Sequence, residues 1–329
     1  MTRRFLQDGG NADLYEAISL HPPVLDLHSK GHSHRSGSLQ SALCLSDWYD
    51  KQGSIADLEE AITLDRAALK LHPPGHPGHA VALTTLAHHL SKMFLKGDGN
   101  ADLDETIFLY RSALDLHPEG HPAWLNSVHN LASVLEHRYH KQDSIADLEE
   151  AITVSRAASK LCPPSHPGRA MALFSLAIPL WKRFMKDGDN ADLDEAICLH
   201  RSALALRPEG HPARSHSLHN LACCLRHQYN TQGSMADLEE AITLGRAALE
   251  LCPSYCAVTL DGLAKGLRSR FMKNGVKTDL DEAILLHRSA LDLRPEGHPD
   301  RSRSLHGLAF CLQQFAKIMS IAKYLRVAS

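Results

Sequence analysis

Histidine is unusually abundant in this chain, with 23 among 329 residues, and its imidazole can bind a metal or transfer a proton near neutral pH. Most histidines recur at equivalent places in a repeat. They lie in Gly-His-Pro turns such as 210–212, and in a Ser-[Leu/Val]-His pattern at His129, His219 and His306. Histidines in different repeats cannot converge on one ion. The pattern therefore indicates structural or solvent-facing histidines and no metal site, with a pH-dependent partner interaction as the alternative.

Cysteine and serine also lack the partners that nucleophilic catalysis requires. Cys223 and Cys224 are adjacent and point in different directions from a predicted helix, so we expect free, buried thiols. No sequence pattern pairs a Cys or Ser with a base and an orienting acid. The Gly-Asp-Gly stretch at 97–99 lacks the Lys and Ser/Thr of a phosphate-binding loop. The sequence therefore predicts no catalytic residues, no cofactor and no enzymatic activity.

An acidic motif, Asp-Leu-acidic-Glu-[Ala/Thr]-Ile, is the most regular feature of the chain. It begins at Asp57, Asp102, Asp147, Asp192, Asp237 and Asp279, with a diverged copy at Asp13. Successive copies are 42 to 45 residues apart. Such a fixed period predicts a stacked repeat array. An Asp with Glu three residues later is typical of a capping box, so we interpret the motif as a helix start and not as a pair of catalytic carboxylates.

Each repeat has the apolar periodicity of two helices. In one repeat, Leu218, Leu221, Leu225 and Tyr229 form a stripe at helical spacing, and Gly233 is expected to end that helix. A second stripe follows the acidic motif and ends at a proline. Neither helix can bury its stripe alone, so stacking of repeats must supply the main stabilisation.

The first helices of the repeats are predicted at about 35–50, 79–96, 123–141, 168–186, 213–231, 256–273 and 300–316. One second helix is expected at each acidic motif, for about 14 helices in total. Residues 1–315 then form one array of six helix pairs with an orphan helix at each end. Residues 316–329 form a divergent tail that could cap the array. The orphan helices and the Pro22-Pro23 insertion suggest a piece of a longer array, or a degenerate one.

The repeat resembles the tetratricopeptide repeat. Leu218-x2-Leu221-Ala222-x2-Leu225, followed by Ala241 and Pro253, follows the family's pattern of large, small and proline positions. The length of 42–45 residues, against the usual 34, is similar to the repeats of kinesin light chains and of fungal arrays that often accompany a caspase-like CHAT domain. The resemblance implies an all-α, right-handed α-solenoid of antiparallel helix pairs.

The same resemblance implies that the first helices line a concave groove that binds a peptide or protein segment. Asn130 and Asn220 stand where the long-repeat family uses asparagine to hold a peptide backbone, because an amide both donates and accepts. The further groove candidates are His129, His219, Glu136 and Arg226, with Phe174 and Trp181 as aromatic anchors.

Composition and charge argue against two classes of function, nucleic-acid binding and membrane association. The net charge is −3, which provides no electrostatic reason to bind nucleic acid or an anionic membrane. No apolar run is long enough to span a membrane. The cysteines lack a disulfide framework, which favours the cytoplasm. We therefore expect a non-enzymatic interaction scaffold. The alternatives are the sensor array of a larger signalling or CHAT protein, and a degenerate fragment.

Overall fold

The computed structural model describes residues 55–95, 103–117, 122–251, 256–298 and 300–328. Twelve helices and no strand lie in these ranges. The helices are α1 (Ile55–Leu71), α2 (His79–Leu95), α3 (Leu103–Leu116), α4 (Pro122–Gln142), α5 (Ile145–Leu161), α6 (Arg169–Asp187), α7 (Asn190–Ala205), α8 (Arg214–Gln232), α9 (Met235–Leu251), α10 (Cys256–Asn274), α11 (Lys277–Asp292) and α12 (Arg301–Ala328). The even-numbered helices are first helices of repeats and the odd-numbered ones are second helices. Within these ranges the prediction of an all-helical fold is confirmed.

The first helices agree with their predicted bounds to within one residue at each end, with one exception. Helix α12 runs on to Ala328, through the segment 316–329 that the sequence pattern sets apart. The predicted helix at 35–50, the Pro22-Pro23 insertion, the motif copy at Asp13 and the aspartate Asp102 of a later copy lie outside the described residues.

The chain divides into two compact units, Met1–Leu161 and Cys162–Ser329. We call them the N-terminal and C-terminal units. Helices α1–α5 belong to the first and α6–α12 to the second. Within each unit every helix packs on the next one in the chain, and successive first helices also touch each other. This stacking is what lets each helix bury its apolar stripe.

Each unit has its own core of large aliphatic side chains. In the N-terminal unit, Leu86, Ile107 and Leu135 are at most 1% exposed and belong to one cluster that includes residues of α1 to α5. In the C-terminal unit, Leu238, Leu267 and Leu280 are fully buried in a cluster that spans α9 to α12. At roughly 1.5–3 kcal/mol for each large side chain removed from water, these clusters are the main source of stability.

The Gly-His-Pro turns explain many of the histidines. Gly210 has φ 83°, a left-handed backbone conformation that glycine adopts at little cost. The Nδ1 atom of His211 then accepts a hydrogen bond from the backbone N–H of Ala213 at 3.1 Å, close to the start of α8. His76, His166 and His298 make the same contact in their own turns. These histidines stabilise backbone turns, in agreement with the prediction that most histidines of the chain are structural or solvent-facing.

Helix ends confirm one prediction and correct another. Gly233 follows α8 with φ 76°, and its N–H donates to the carbonyl of Tyr229, so this glycine ends the helix as expected. The prediction that the acidic motif is a capping box is wrong. Helix α7 is capped by Asp189, which accepts from the N–H of Ala191 at 2.9 Å, whereas the motif residue Asp192 is already in the first turn. The motif carboxylate is therefore available for another partner.

Candidate functional site

A cleft in the C-terminal unit lies between the first helices α8 and α10, and its floor is formed by α9. We call it the α8–α10 cleft. Its lining residues are His219, Ala222, Cys223, Arg226, Ala241, Ile242, Gly245, Thr259, Gly262, Leu263 and Gly266. The α8 residues recur at intervals of three and four, so they form one stripe beside the buried stripe of that helix. All of the polar side chains in this lining come from first helices.

A second cleft lies in the N-terminal unit between the first helices α2 and α4, and we call it the α2–α4 cleft. Its lining residues are Thr84, Thr85, His88, Asn126, His129 and Asn130. It is open and almost entirely polar in its side chains. Each unit thus has a cleft between neighbouring first helices, with polar side chains of those helices in its lining.

Four of the predicted groove residues line these clefts. Asn130 and His129 lie in the α2–α4 cleft, and His219 and Arg226 lie in the α8–α10 cleft. Asn220 is next to His219 and half-buried, and its Nδ2 donates to the carbonyl of His216 at 3.0 Å. Its carbonyl oxygen is not used in that bond and can still accept one.

The other three candidates lie elsewhere. Glu136 is half-buried on α4, outside the lining of the α2–α4 cleft. Trp181 is half-buried, and its ring centroid is 5.8 Å from that of His227. Phe174 is 9% exposed and belongs to a small apolar cluster. Phe174 is therefore a core residue. An aromatic anchor must be exposed to reach its ligand, so this burial does not support the prediction that Phe174 is an anchor.

A cation covers the ring of Phe174, in addition to its apolar neighbours. The guanidinium of Arg207 lies 4.7 Å from the centroid of the ring, and the ring of His200 packs against it edge-on at 5.5 Å. Burial, together with the nearby charges of Arg207 and His219, lowers the pKa of His200 to about 3. His200 is therefore a neutral core residue at any physiological pH.

Two segments of the chain, residues 124–168 and 215–251, match the profile of a known family, the tetratricopeptide repeat. These segments are tetratricopeptide repeats. Each begins within a first helix, α4 or α8, and includes the second helix that follows it. The recurring acidic motif lies within both matches.

Solved structures of tetratricopeptide repeat and related proteins are similar to this chain in fold. Acl4, an assembly chaperone of RpL4, is 17% identical with a TM-score of 0.53, over 86% of this chain and 99% of that one. BtubC (BKLC) from P. vanneervenii is 18% identical with a TM-score of 0.50, over 73% and 90%. A putative kinesin light chain with nearly identical TPR-like repeats from Podosopora anserina is 22% identical with a TM-score of 0.46, over 67% and 100%. No curated protein matches the chain.

The recurring acidic motif is an ion-pair site, which the sequence interpretation missed. In three repeats, an arginine near the end of the first helix donates two hydrogen bonds to the motif aspartate of the second helix. The pairs are Arg138 with Asp147, Arg183 with Asp192, and Arg270 with Asp279, at 2.6 to 2.9 Å. The aspartates are 2 to 5% exposed. The partner arginine is always nine residues earlier, a spacing that could have identified it.

The remaining acids of the motif join one repeat to its neighbour. Arg138 also bonds Asp104, and Arg270 also bonds Glu239, in each case an acid of the preceding repeat. The motif glutamate in turn accepts from an arginine of the preceding second helix. These pairs are Arg66 with Glu105, Arg111 with Glu150, Arg201 with Glu240, and Arg246 with Glu282. The motif is therefore a connector between neighbouring repeats of the chain.

A buried polar network in the C-terminal unit could be mistaken for a catalytic triad. Asp261 accepts from Ser304 at 2.7 Å and from Arg294, and the Nδ1 atom of His287 lies 2.9 Å from its other oxygen. Each of these four residues is at most 2% exposed. Ser304 donates to the aspartate and not to the histidine, so the serine is not activated as a nucleophile. The network is structural.

Cys223 is the functional candidate that the sequence interpretation placed wrongly. Cys224 is fully buried as expected, but Cys223 is half-buried in the α8–α10 cleft, with its sulfur 3.6 Å from Nε2 of His219. Burial by itself would raise the pKa of Cys223. The neighbouring His219, Arg226 and Lys265 outweigh it and lower the pKa to about 7. The i, i+4 spacing of His219 and Cys223 was visible in the sequence, whereas Lys265 comes from α10.

Within the described ranges, no helix has the length and apolarity that a membrane span requires. Across the same residues, no three His, Cys, Asp or Glu side chains are grouped so that they could hold a metal ion.

Proposed function

We propose that this chain is a non-enzymatic interaction scaffold whose first helices bind an extended peptide segment of a partner protein. The observation that carries the proposal is the occurrence of two clefts between neighbouring first helices, one in each unit, whose polar lining side chains all come from those helices. Tetratricopeptide repeats are protein-binding scaffolds, which supports the same conclusion. The complete fold implied is a right-handed solenoid of antiparallel pairs, with about 14 helices over the whole chain.

Each cleft has the groups that an extended backbone needs. Asn130 in the N-terminal unit and Asn220 in the C-terminal unit offer amides beside their clefts, and a side-chain amide can donate to and accept from a peptide group. Such contacts do not depend on the peptide's side chains. They supply affinity, while the neighbouring histidines and charges select the sequence.

The charges of the C-terminal unit favour an acidic segment. Helices α8 and α12 contain no Asp or Glu, and the only carboxylate of α10 belongs to Asp261, which is 2% exposed and paired with Arg294. The first helices in turn present Arg226, Lys265 and Arg303, none of them fully buried. The cleft face is therefore positive although the chain as a whole is not, and opposite charge at an interface contributes to selectivity and association rate.

The free cysteines of the described residues, among them the exposed Cys198, support a reducing compartment. We therefore propose that the scaffold acts in the cytoplasm.

The test is selection of peptides from a random display library on the full-length chain. We expect selected peptides to be rich in Asp and Glu. The double variant Arg226→Glu/Lys265→Glu should weaken their binding by roughly tenfold or more, about 1.4 kcal/mol, because it reverses the charge of the cleft. Lys273→Glu, at an exposed position near the end of α10, is the matched control and should bind as the wild type does.

A second pair of variants tests the amides. Asn130→Ala/Asn220→Ala should weaken binding of the selected peptides without changing their acidic preference. Selected peptides without acidic enrichment would refute the charge argument, and unchanged binding by both double variants would refute the groove. If a fluorescein-labelled single-stranded oligonucleotide binds and the charge-reversed variant does not bind it, a nucleic acid replaces the peptide as the partner.

A further inference from the structure

The pair of Cys223 and His219 lies in a positively charged environment. Both residues are on α8, one turn apart, and the thiol sulfur is 3.6 Å from Nε2 of the imidazole. Arg226 is on the same helix one turn further on, and Lys265 approaches from α10. Helix α9 contributes only Ala241, Ile242 and Gly245 to this cleft. These surroundings favour the thiolate, which is the reactive form of cysteine.

The carboxylate of α10 does not oppose this effect. Asp261 is on α10, but its side chain is buried and bonded to Arg294, Ser304 and His287. His227 and His216 are the other titratable groups of α8 near the pair. Burial, together with neighbouring cations, lowers the pKa of His227 to about 4 and also lowers that of His216. Both are neutral near pH 7, so they neither add nor remove charge there.

The cleft allows a small molecule to reach the sulfur. Cys223 is half-buried, and the cleft beside it has room for a molecule about the size of water. Gly262 keeps this space open, because a Cβ atom there would lie 3.5 Å from Cε1 of His219 and 4.0 Å from the sulfur of Cys223. A peroxide has nearly the dimensions of water and can therefore enter this space.

The other described cysteines differ from Cys223 in exposure or in the pKa of the thiol. Cys224 and Cys311 are fully buried, and burial raises the pKa of each thiol. Cys162 is buried in the same way and its pKa is also raised. Cys198 is exposed on α7. Cys223 thus combines access with a neighbouring imidazole and two cations, which no other described cysteine does.

We propose that Cys223 is an oxidation site that reacts with hydrogen peroxide or a similarly small hydroperoxide to form a sulfenic acid, with His219 as its proton donor. The thiolate attacks one peroxide oxygen, so that an S–O bond forms as the O–O bond breaks. The sulfur loses two electrons and the peroxide gains them. The departing hydroxide takes the proton of the His219 imidazolium and leaves as water. Arg226 and Lys265 stabilise the negative charge that develops on that oxygen.

The site does not depend on the proposed peptide binding, and its test uses the free, reduced, full-length protein. The protein is treated with hydrogen peroxide in the presence of dimedone, which traps sulfenic acids, and the adducts are located by peptide mass mapping. We expect Cys223 to be labelled faster than the exposed Cys198, and Cys224 to stay unlabelled. Labelling of Cys223 no faster than that of Cys198 in the wild type would overturn the proposal.

Two variants test the part played by the imidazole. His219→Gln should slow the labelling of Cys223 by roughly tenfold and leave Cys198 unchanged. The rate of Cys223 alkylation by iodoacetamide should rise with pH around a midpoint near 7 in the wild type, and around a higher pH in the variant, which lacks the imidazole. Unchanged labelling and an unchanged pH midpoint in His219→Gln would exclude His219 from the site. Cys223→Ser should abolish the adduct at this position, and retention of the mass shift there would contradict the assignment.

Discussion

Arg270 and Asp279 form a two-point ion pair, in which Nε and Nη2 of the guanidinium donate to the two carboxylate oxygens at 2.8 Å each. The aspartate side chain is 6% exposed and the arginine side chain 20%. A third donor of Arg270 reaches Glu239 of the preceding repeat. One guanidinium therefore connects the two helices of its own repeat and an acid of the repeat before it.

We predict that Arg270→Gln destabilises the C-terminal unit, because it leaves the Asp279 carboxylate buried without its counter-charge. The expected loss is roughly 1–3 kcal/mol, less than for a fully buried pair since the arginine retains some solvent contact. The measurement is urea unfolding followed by circular dichroism. Arg288→Gln, at an exposed position on α11, is the matched control and should change stability little. Equal effects of the two substitutions would refute the connector role.

The exposed arginine–glutamate pairs between second helices are predicted to contribute little. Arg201 and Glu240 are 51% and 41% exposed, so water screens their interaction. We expect Arg201→Gln to cost about 0.5 kcal/mol or less at low salt, and nothing measurable in roughly 1 M sodium chloride. Urea unfolding at the two salt concentrations decides this. If Arg201→Gln lowered the free energy of unfolding as much as Arg270→Gln does, at both salt concentrations, exposure would not explain how much each ion pair contributes.

Gly307 and Gly262 occupy equivalent positions in neighbouring first helices and are predicted to respond oppositely to alanine. A Cβ atom at Gly307 would lie 2.5 Å from Cε1 of the fully buried His287, so Gly307→Ala forces that ring to move. We expect a loss of roughly 1–3 kcal/mol. At Gly262 the nearest atom is at 3.5 Å, an ordinary contact, and Gly262→Ala should be neutral or stabilise by up to about 1 kcal/mol. Thermal melts of both variants test the pair, and the same sign for both would contradict it.

Asp261 is predicted to make the stability of the C-terminal unit depend on pH in the acid range. Burial by itself would raise the pKa of Asp261, but hydrogen bonds from His287, Ser304 and Arg294 outweigh it and lower the pKa to about 2. In the unfolded chain the pKa is about 3.9. The folded state therefore binds this proton less tightly, and the stabilisation is complete above about pH 5 and is lost as the pH falls towards 2.

The corresponding variant is Asp261→Asn, which cannot ionise. Its deficit relative to the wild type should be largest near neutral pH and shrink by roughly 2 kcal/mol between about pH 6 and pH 2. Asp292→Asn, at an exposed position at the end of α11, is the control and should follow the wild type at every pH. Urea midpoints across the pH series measure both. A deficit of Asp261→Asn that is independent of pH would mean that the carboxylate charge contributes no stability.

The bounds of the helices were predictable because they depend on local signals. Apolar spacing, the glycine at 233 and the Pro-containing turns placed five of six described first helices within one residue at each end. The acidic motif was harder to interpret. Its position near a helix start was correct, but a capping box and an ion-pair site can have the same residues in the same turn, and only the position of Arg183 against Asp192 distinguishes them.

The groove candidates came from the family resemblance, and their binding role stays a prediction. His129, Asn130, His219 and Arg226 do line clefts between first helices. Phe174 is on a comparable face, but Arg207, which follows α7, covers its ring. The two residues are 33 positions apart, so helical periodicity could not predict this contact. Lys265 beside Cys223 is a contact of the same kind.

The sequence by itself determined the repeat, its helices and the residues on each helix face, since hydrophobic spacing and turn chemistry act over a few residues. Tertiary structure alone decided which charges meet, which of two adjacent thiols faces a cation-lined cleft, and which aromatic ring is buried. Those outcomes depend on distances between helices of different repeats. Packing sets these distances, and the order of residues in one repeat does not encode them.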